Sequence, residues 1–145
     1  MDANAQIGPP IDPVRVVAAV AERAGRLLLC RRPEGKRHAG LWEFPGGKLH
    51  AGESVPDAVR RELAEELAVE VVAVGERLLA LPDPGSAFVV EFHRVRIAGE
   101  PQPLEHDALG WFRPDELAGL DLAPSDRAFV ESAAGRDMLR ATEES

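Results

Sequence analysis

The residues best suited to chemistry in this chain are acidic and lie close together after a glycine turn. Residues 47–69 read GKLHAGESVPDAVRRELAEELAV, and their pattern predicts a helix over 55–67. At about 3.6 residues per turn, Glu62, Glu65 and Glu66 fall within roughly 100° on one face of that helix, where like charges repel. The compensating charge is expected to come from hard cations, which prefer oxygen ligands. The segment therefore predicts a magnesium site for diphosphate chemistry.

This segment resembles the Nudix box, the signature G-x5-E-x7-R-E-U-x-E-E-x-G-U of the Nudix hydrolases, in which U is an aliphatic residue. The matching positions are Gly47, Glu53, Arg61, Glu62, Leu63, Glu65, Glu66 and Val69. The box's second glycine is Ala68 here, at an expected left-handed helix C-cap, where alanine costs about 1 kcal/mol relative to glycine. So many fixed positions are a specific signal, although an ordinary acidic amphipathic helix is the alternative.

The resemblance implies a role for each acidic or basic position of the box. The expected ligands of Mg²⁺, with Mn²⁺ as a possible substitute, are the Gly47 carbonyl and the carboxylates of Glu62, Glu65 and Glu66. Either Glu66, which we favour, or Glu105 would accept the proton of an attacking water. Arg61 and Glu53 are expected to position the catalytic helix and loop through a charge pair.

A further metal ligand is predicted outside the box. Glu105 lies six residues before Trp111, the offset at which MutT-like members of the family place a metal-binding carboxylate. His106 and Asp107 are neighbouring alternatives, and a surface loop glutamate is the plain interpretation of Glu105 alone.

The segment leading into the box indicates the class of substrate. Residues 41–48, LWEFPGGK, resemble the same segment of MutT-type members, which act on the nucleotide pool. By this resemblance Phe44 helps to line a base pocket, and Lys48 and Arg32 bind substrate. A core position for Phe44 and a surface ion pair for Arg32 are the structural alternatives.

Asp126 is the candidate for contact with the base edge. The stretch Leu122-Ala123-Pro124-Ser125-Asp126 resembles the base-recognition site of MutT-type members, with aspartate where the oxidised-guanine enzyme has asparagine. An ionised aspartate only accepts hydrogen bonds, so it suits the cytosine N4 amine and is repelled by a guanine O6, whereas a protonated aspartate escapes this rule. Stabilisation by the helix macrodipole is the structural alternative.

These resemblances predict a Mg²⁺-dependent hydrolase that converts a nucleoside triphosphate and water into the monophosphate and pyrophosphate. Cytidine or modified cytidine nucleotides are the favoured substrates, because residues 105–111 and 122–126 also resemble the members that hydrolyse CTP. The alternatives are an 8-oxo-dGTP diphosphatase, a hydrolase of dATP analogues or of a linked nucleoside diphosphate such as ADP-ribose, and a non-catalytic nucleotide-binding module.

Composition agrees with one globular domain of 145 residues, 45% hydrophobic and 29% charged. A net charge of −8 disfavours long nucleic acid as a ligand. The sequence shows neither a long apolar run nor a secretory leader, so we expect no membrane association and a cytoplasmic location. The single cysteine, Cys30, excludes an internal disulfide and is expected to be a buried structural thiol. The sequence leaves open whether the protein is a monomer or a homodimer.

The elements that position these residues alternate along the chain. We expect a flexible lead-in over residues 1–13, a single domain over 14–141 and a tail over 142–145. Strands are predicted over 14–21, 26–32, 70–81, 87–97 and 108–112, and helices over 55–67, 114–117 and from 124 or 125 to 139. Such an order implies an α/β fold, and the family resemblance implies an α/β/α sandwich with a mixed β-sheet.

Overall fold

The apolar runs of the sequence become strands in the structure, a computed structural model that describes residues 13–144. The strands are Val14–Arg23 (β1), Arg26–Arg31 (β2), Trp42–Glu43 (β3), Gly46–Lys48 (β4), Glu70–Pro82 (β5), Phe88–Ala98 (β6) and Ala108–Phe112 (β7). The helices are Val55–Leu67 (α1), Pro124–Glu131 (α2) and Ala133–Glu143 (α3), with a 3₁₀ helix at Pro114–Gly119.

The strands form a mixed sheet around β1. This strand runs parallel to β6 and antiparallel to β4, and its end pairs antiparallel with β2. β5 is antiparallel to β6, whereas β3 and β7 are both antiparallel to β2. The predicted mixed sheet is confirmed.

Side chains of β1 alternate between the two faces of the sheet, as the period of two in a strand requires. Val17 and Ala19 pack with the buried residues of α1, whereas Ala18 and Val20 pack with those of α2 and α3. Both faces are therefore covered by helices, which gives the expected α/β/α arrangement. Cys30 is fully buried in the α1 layer, and the hydrophobic environment raises the pKa of its thiol.

Local capping defines both ends of α1. Ser54 is extended and its side chain accepts a hydrogen bond from the backbone N–H of Asp57, while Pro56 occupies the first turn. Ala68 ends the helix in the left-handed region at φ 56° and ψ 37°, as the substituted glycine position predicts. The acidic residues therefore lie on a helix with the predicted bounds.

The predicted last helix is wrong as a single element, because α2 and α3 are separated by Ser132. This residue is extended, with ψ 164°, and its hydroxyl accepts from the backbone N–H of Gly135 as the N-cap of α3. α3 continues to Glu143, so the helix extends two residues into the segment expected as a tail.

Two further differences from the expected elements concern short segments. The strands β3 and β4, of two and three residues, were not predicted because they are too short to show a period. The 3₁₀ helix extends two residues further than the predicted helix. The expected lead-in lies outside the described residues except for Pro13. Among the described residues, no helix has the length and hydropathy needed to span a membrane.

Candidate active site

Two adjoining cavities lie beside β4, and most of the predicted site residues line one or the other. We call the first the apolar pocket; Phe44, Lys48, Phe88, Val90 and Asp126 are among the residues around it. We call the second the acidic cleft; it is lined by Arg32, Pro33, Lys36, Glu43, Gly46, Glu62, Glu66, Glu105 and His106. Arg32, Glu43 and Gly46 border both cavities, so the two form one continuous site.

Glu66 lies at the base of the acidic cleft and is almost completely buried, with 4% of its surface exposed. Its Oε2 atom has no hydrogen-bond partner among the described residues. Burial, the adjacent Glu62 and the charges of Glu43 and Glu105 hold the pKa of the Glu66 carboxyl well above its usual range. A carboxylate placed here is therefore destabilised unless positive charge is brought to it.

Gly47 and Glu62 are packed directly against each other, and this contact requires glycine. A Cβ atom added at Gly47 would lie 2.4 Å from the Cδ and Oε2 atoms of Glu62. The missing side chain thus lets the Glu62 carboxylate approach the backbone of β4. Two of the predicted ligands, one on a strand and one on α1, are thereby brought together.

Arg61 binds the two acidic groups that flank it. Its Nε and Nη2 atoms donate to the two carboxylate oxygens of Glu53 at 2.8 Å each, and its Nη1 donates to Oε1 of Glu62 at 2.6 Å. Nη1 also lies 3.7 Å from Oε2 of Glu65. The predicted pair of Arg61 with Glu53 is present in the structure. Arg61 also reaches Glu62, so this arginine compensates part of the negative charge on the helix face, for which hard cations were expected.

Glu65 is placed differently from the other box glutamates. Its side chain is about half exposed, at 52%, and it does not border the acidic cleft. Glu105 borders the cleft from the loop between β6 and β7, and its charge acts on Glu66. The structure thus brings Glu62, Glu66 and Glu105 to one cleft and leaves Glu65 at its edge.

The oxygen atoms that line the acidic cleft are of the kind that bind a hard divalent cation. They are those of carboxylates next to a strand backbone, and they include a buried oxygen of Glu66 without a partner. No three acidic, imidazole or thiol groups of residues 13–144 are already gathered closely enough to ligate one ion. One oxygen of Glu62, Oε1, instead accepts a hydrogen bond from Nη1 of Arg61. The site is therefore suited to such a cation by composition and is not preassembled.

Glu43 connects the two cavities and was not predicted as a site residue. Nη1 of Arg32 lies 3.2 Å from both of its carboxylate oxygens, and Nε2 of His106 lies 2.9 Å from its Oε2. Its position within LWEFPGGK was visible in the sequence. Its importance comes from β3 pairing with β2 and from the approach of a loop more than 60 residues away, neither of which has a local signal.

Asp126 closes the inner end of the apolar pocket. It is buried near the start of α2, and its Oδ1 accepts the backbone N–H of Phe44 at 2.9 Å. Burial, followed by the charge of Glu43, raises the pKa of the Asp126 carboxyl well above its usual range. The raised pKa favours the protonated carboxyl, which can donate as well as accept a hydrogen bond.

The remaining predicted substrate residues border the apolar pocket. The Phe44 ring is buried and packs edge-on against Phe92 and Phe129, so it belongs to the core as well as to the pocket wall. Lys48 is exposed, with its Nζ 4.9 Å from the centre of the Phe88 ring. Arg32 is bound to Glu43, which is the ion-pair alternative, yet it also borders both cavities.

Comparison with known families gives one clear match. A family model described as NUDIX domain matches residues 12–133 of the chain. The CTP pyrophosphohydrolase of Escherichia coli (strain K12) is 40% identical over 122 residues, which cover 82% of this chain and 90% of that protein. The putative 8-oxo-dGTP diphosphatase 2 of Mycobacterium tuberculosis (strain ATCC 25618 / H37Rv) is 39% identical over 125 residues, covering 82% of this chain and 86% of that one.

Solved structures give the same result. The solution structure of the E. coli ORF135 protein superposes with a TM-score of 0.75 at 39% identity, covering 92% of this chain and 96% of that one. The crystal structure of a MutT NUDIX hydrolase from Burkholderia pseudomallei superposes with a TM-score of 0.73 at 32% identity, covering 85% and 99%.

Proposed function

Since the chain belongs to the NUDIX family and is a Nudix hydrolase, we propose that it is a Mg²⁺-dependent nucleoside triphosphate pyrophosphohydrolase that favours cytidine or modified cytidine nucleotides. Water is the second substrate, and the products are the nucleoside monophosphate and pyrophosphate. The supporting observation is the continuity of the acidic cleft with the apolar pocket, because a polyphosphate and a base must be bound side by side.

The acidic cleft supplies the groups for phosphate chemistry. Glu62, Glu65, Glu66, Glu105 and the Gly47 carbonyl would hold Mg²⁺, with Mn²⁺ as a possible substitute. Bound there, the cation would neutralise charge on the diphosphate oxygens and make an attacking water more acidic. The contact of Gly47 with Glu62 and the unpartnered oxygen of Glu66 support this assignment.

The protein's own groups would handle the proton and the position of the substrate. Glu66 is the favoured acceptor of the proton from water, because its side chain is buried in the cleft, whereas Glu105 is exposed on a loop. Arg32 and Lys48 carry the positive charge expected to bind phosphate oxygens. Arg61 and Glu53 would position α1 against the preceding loop.

The apolar pocket would bind the base. Phe44 and Asp126 form its inner wall, joined by the hydrogen bond from the Phe44 N–H. Cytosine is favoured by the CTP pyrophosphohydrolase relative, which is 40% identical, and by a second acidic side chain, Glu43, at the pocket. Carboxylate oxygens there would accept the cytosine N4 amine.

A second candidate substrate is 8-oxo-dGTP, and one structural observation favours it. Burial raises the pKa of Asp126, and a neutral aspartic acid both donates and accepts hydrogen bonds, as asparagine does. The M. tuberculosis relative carries the name of a putative 8-oxo-dGTP diphosphatase. A protonated Asp126 would not favour the cytosine amine over the guanine O6, so Glu43 is the main acidic group that favours cytidine nucleotides.

Pyrophosphate release under identical conditions tests the proposal. The purified protein is given CTP, dCTP, 5-methyl-dCTP and 8-oxo-dGTP with Mg²⁺, and the same series is repeated with an excess of chelator. We expect metal-dependent release with kcat/KM highest for a cytidine nucleotide. A higher kcat/KM for 8-oxo-dGTP would replace the cytidine assignment with the second candidate. Tight nucleotide binding without any hydrolysis would instead indicate a non-catalytic module.

A further inference from the structure

We propose that His106 is a positioning residue for base recognition, which holds the Glu43 carboxylate at the junction of the two cavities so that it accepts a hydrogen bond from an amine-bearing base edge. This inference rests on the proposed function, since it assigns a determinant of substrate preference to the same site. His106 itself borders only the acidic cleft, so it would act through Glu43.

The contact between these two residues is short and directional. Nε2 of His106 lies 2.9 Å from Oε2 of Glu43, and the imidazole side chain is only 6% exposed. A carboxylate accepts and does not donate, so the imidazole must donate from Nε2. Charge-assisted hydrogen bonds of this kind are about twice as strong as neutral ones, which makes His106 a firm restraint on Glu43.

Arg32 provides the other restraint on the same carboxylate. Its Nη1 is 3.2 Å from both Oε1 and Oε2 of Glu43, whereas His106 contacts Oε2 alone. Within residues 13–144, Oε1 therefore has Arg32 as its only hydrogen-bond partner. An oxygen has room for a further donor, and Glu43 borders the apolar pocket together with Asp126.

The backbone around His106 is fixed by two neighbouring elements. The N–H of Leu104 donates to the Glu66 carbonyl at the end of α1, and the N–H of Asp107 donates to the Arg31 carbonyl at the end of β2. The side chain of Arg31 also donates to Asp107 at 2.8 Å. His106 is thus held between the helix that carries Glu66 and the strand next to Glu43, which suits a residue that orients a neighbour.

A buried histidine that serves only the stability of the core would be expected to satisfy both ring nitrogens. Nδ1 of His106 is buried and has no hydrogen-bond partner among the described residues. Nε2 also lies 3.8 Å from Oε1 of Glu66, so the imidazole is adjacent to one carboxylate at each cavity. The imidazole of His106 thus has one ring nitrogen without a partner, and its hydrogen bond to Glu43 is the interaction that accounts for a histidine at this position.

Equilibrium binding of CMP and UMP without divalent ions isolates this role from metal chemistry. The two monophosphates differ at position 4 of the base, which carries an amine in CMP and a carbonyl oxygen in UMP. We expect the wild type to bind CMP more tightly than UMP, measured by calorimetry in the presence of chelator. In His106→Leu, which fills the space without a donor, the ratio of the two affinities should fall at least about tenfold, the effect of one lost hydrogen bond to a charged group.

A conservative variant and a loop control accompany this measurement. His106→Gln retains an N–H donor and should recover most of the CMP preference. Leu104→Ser changes an exposed side chain of the same loop, 56% exposed, and should leave the ratio unchanged. In a Glu43→Gln background, His106→Leu should have little additional effect on the ratio, because the two residues act as one unit.

Three outcomes would overturn the proposal: a wild type without preference for CMP, a His106→Leu variant that loses affinity for CMP and UMP equally, or full additivity with Glu43→Gln. An equal loss would assign His106 to general stability of the site. These binding results are independent of turnover, whereas the proposed function is tested by metal-dependent pyrophosphate release and by the order of kcat/KM among the nucleotides.

Discussion

Arg61 and Glu53 face each other across the loop before α1 and share two parallel hydrogen bonds of 2.8 Å. The same guanidinium donates to the Lys48 carbonyl at 3.0 Å, so one side chain ties the helix both to the loop and to β4. This fork geometry is specific to arginine. The hydrogen bonds from Arg61, together with one from the His50 N–H, lower the pKa of Glu53 from about 4.5 to about 2.

Glu53→Gln should reveal this pair through the pH dependence of stability. Because the folded-state pKa of Glu53 is depressed, its contribution is present above about pH 4.5 and is lost as the pH falls toward 2. Urea midpoints measured in chelator from pH 7 to pH 3 should show the wild type more stable, with a gap that narrows below pH 4.5. Arg61→Lys keeps the charge without the fork and should lose most of the same stability. A gap that is constant down to pH 3 would contradict this account.

Gly47→Ala should separate ion binding from folding. The added Cβ would meet the Glu62 carboxylate, the movable end of a side chain, so the protein should fold while Glu62 is displaced. We expect the Mg²⁺ concentration for half-maximal activity to rise at least about tenfold, the loss typical of disturbing one metal-orienting group. Gly46→Ala is the matched control, since its Cβ would lie 1.9 Å from the backbone oxygen of Val17 and should destabilise the fold itself. An unchanged Mg²⁺ requirement in Gly47→Ala would exclude Gly47 and Glu62 as a joint ligand pair.

The parts of the structure that could be predicted from the sequence are those with local causes. α1 has its predicted bounds because Ser54, Pro56 and Ala68 act within a few residues of each end. The break at Ser132 also has a local signal, a serine N-cap three residues before Gly135, but this serine lies inside an otherwise helical pattern that predicts a continuous helix. Long apolar strands were found for a similar reason, since their composition is continuous over many residues.

The parts that could not be predicted depend on distant segments or on burial. Glu43 becomes a site residue only when the loop carrying His106 reaches it, across 63 residues of sequence. The raised pKa of Asp126 follows first from its burial, which the sequence does not show. The contact of Arg61 with Glu62 joins sequence neighbours, but the same guanidinium also binds Glu53, eight residues away, and a sequence pattern does not show where a side chain points.

Glu66→Gln should change activity and stability in opposite directions. Removal of the proton acceptor should lower kcat by at least about a hundredfold, the scale of one general base. In chelator at neutral pH the variant should nevertheless melt at a higher temperature, because burial and nearby acidic groups raise the pKa of Glu66 and oppose its charge. Added Mg²⁺ should raise the melting temperature of the wild type more than that of the variant, since ligand binding stabilises the folded state. Near-normal turnover in Glu66→Gln would transfer the role of the base to another group, with Glu105 as the first candidate.

Asp126→Asn should remove a pH dependence from both stability and base preference. The folded-state pKa of Asp126 lies well above its usual value of 3.8, so its contribution to stability is complete below that value and is lost as the pH rises through the folded pKa. Asparagine does not titrate, and its side-chain oxygen can still accept the Phe44 N–H, so the difference in melting temperature between variant and wild type should increase from pH 5 to pH 8.

The amide of Asp126→Asn would turn its NH₂ group, a donor, toward the pocket, and the ratio of kcat/KM for CTP to that for 8-oxo-dGTP should fall. In the wild type the same ratio should rise with pH, because ionisation converts Asp126 into an acceptor that suits the cytosine amine. A ratio that is flat from pH 6 to pH 9 in the wild type and unchanged in Asp126→Asn would show that Asp126 holds Phe44 in place and does not contact the base.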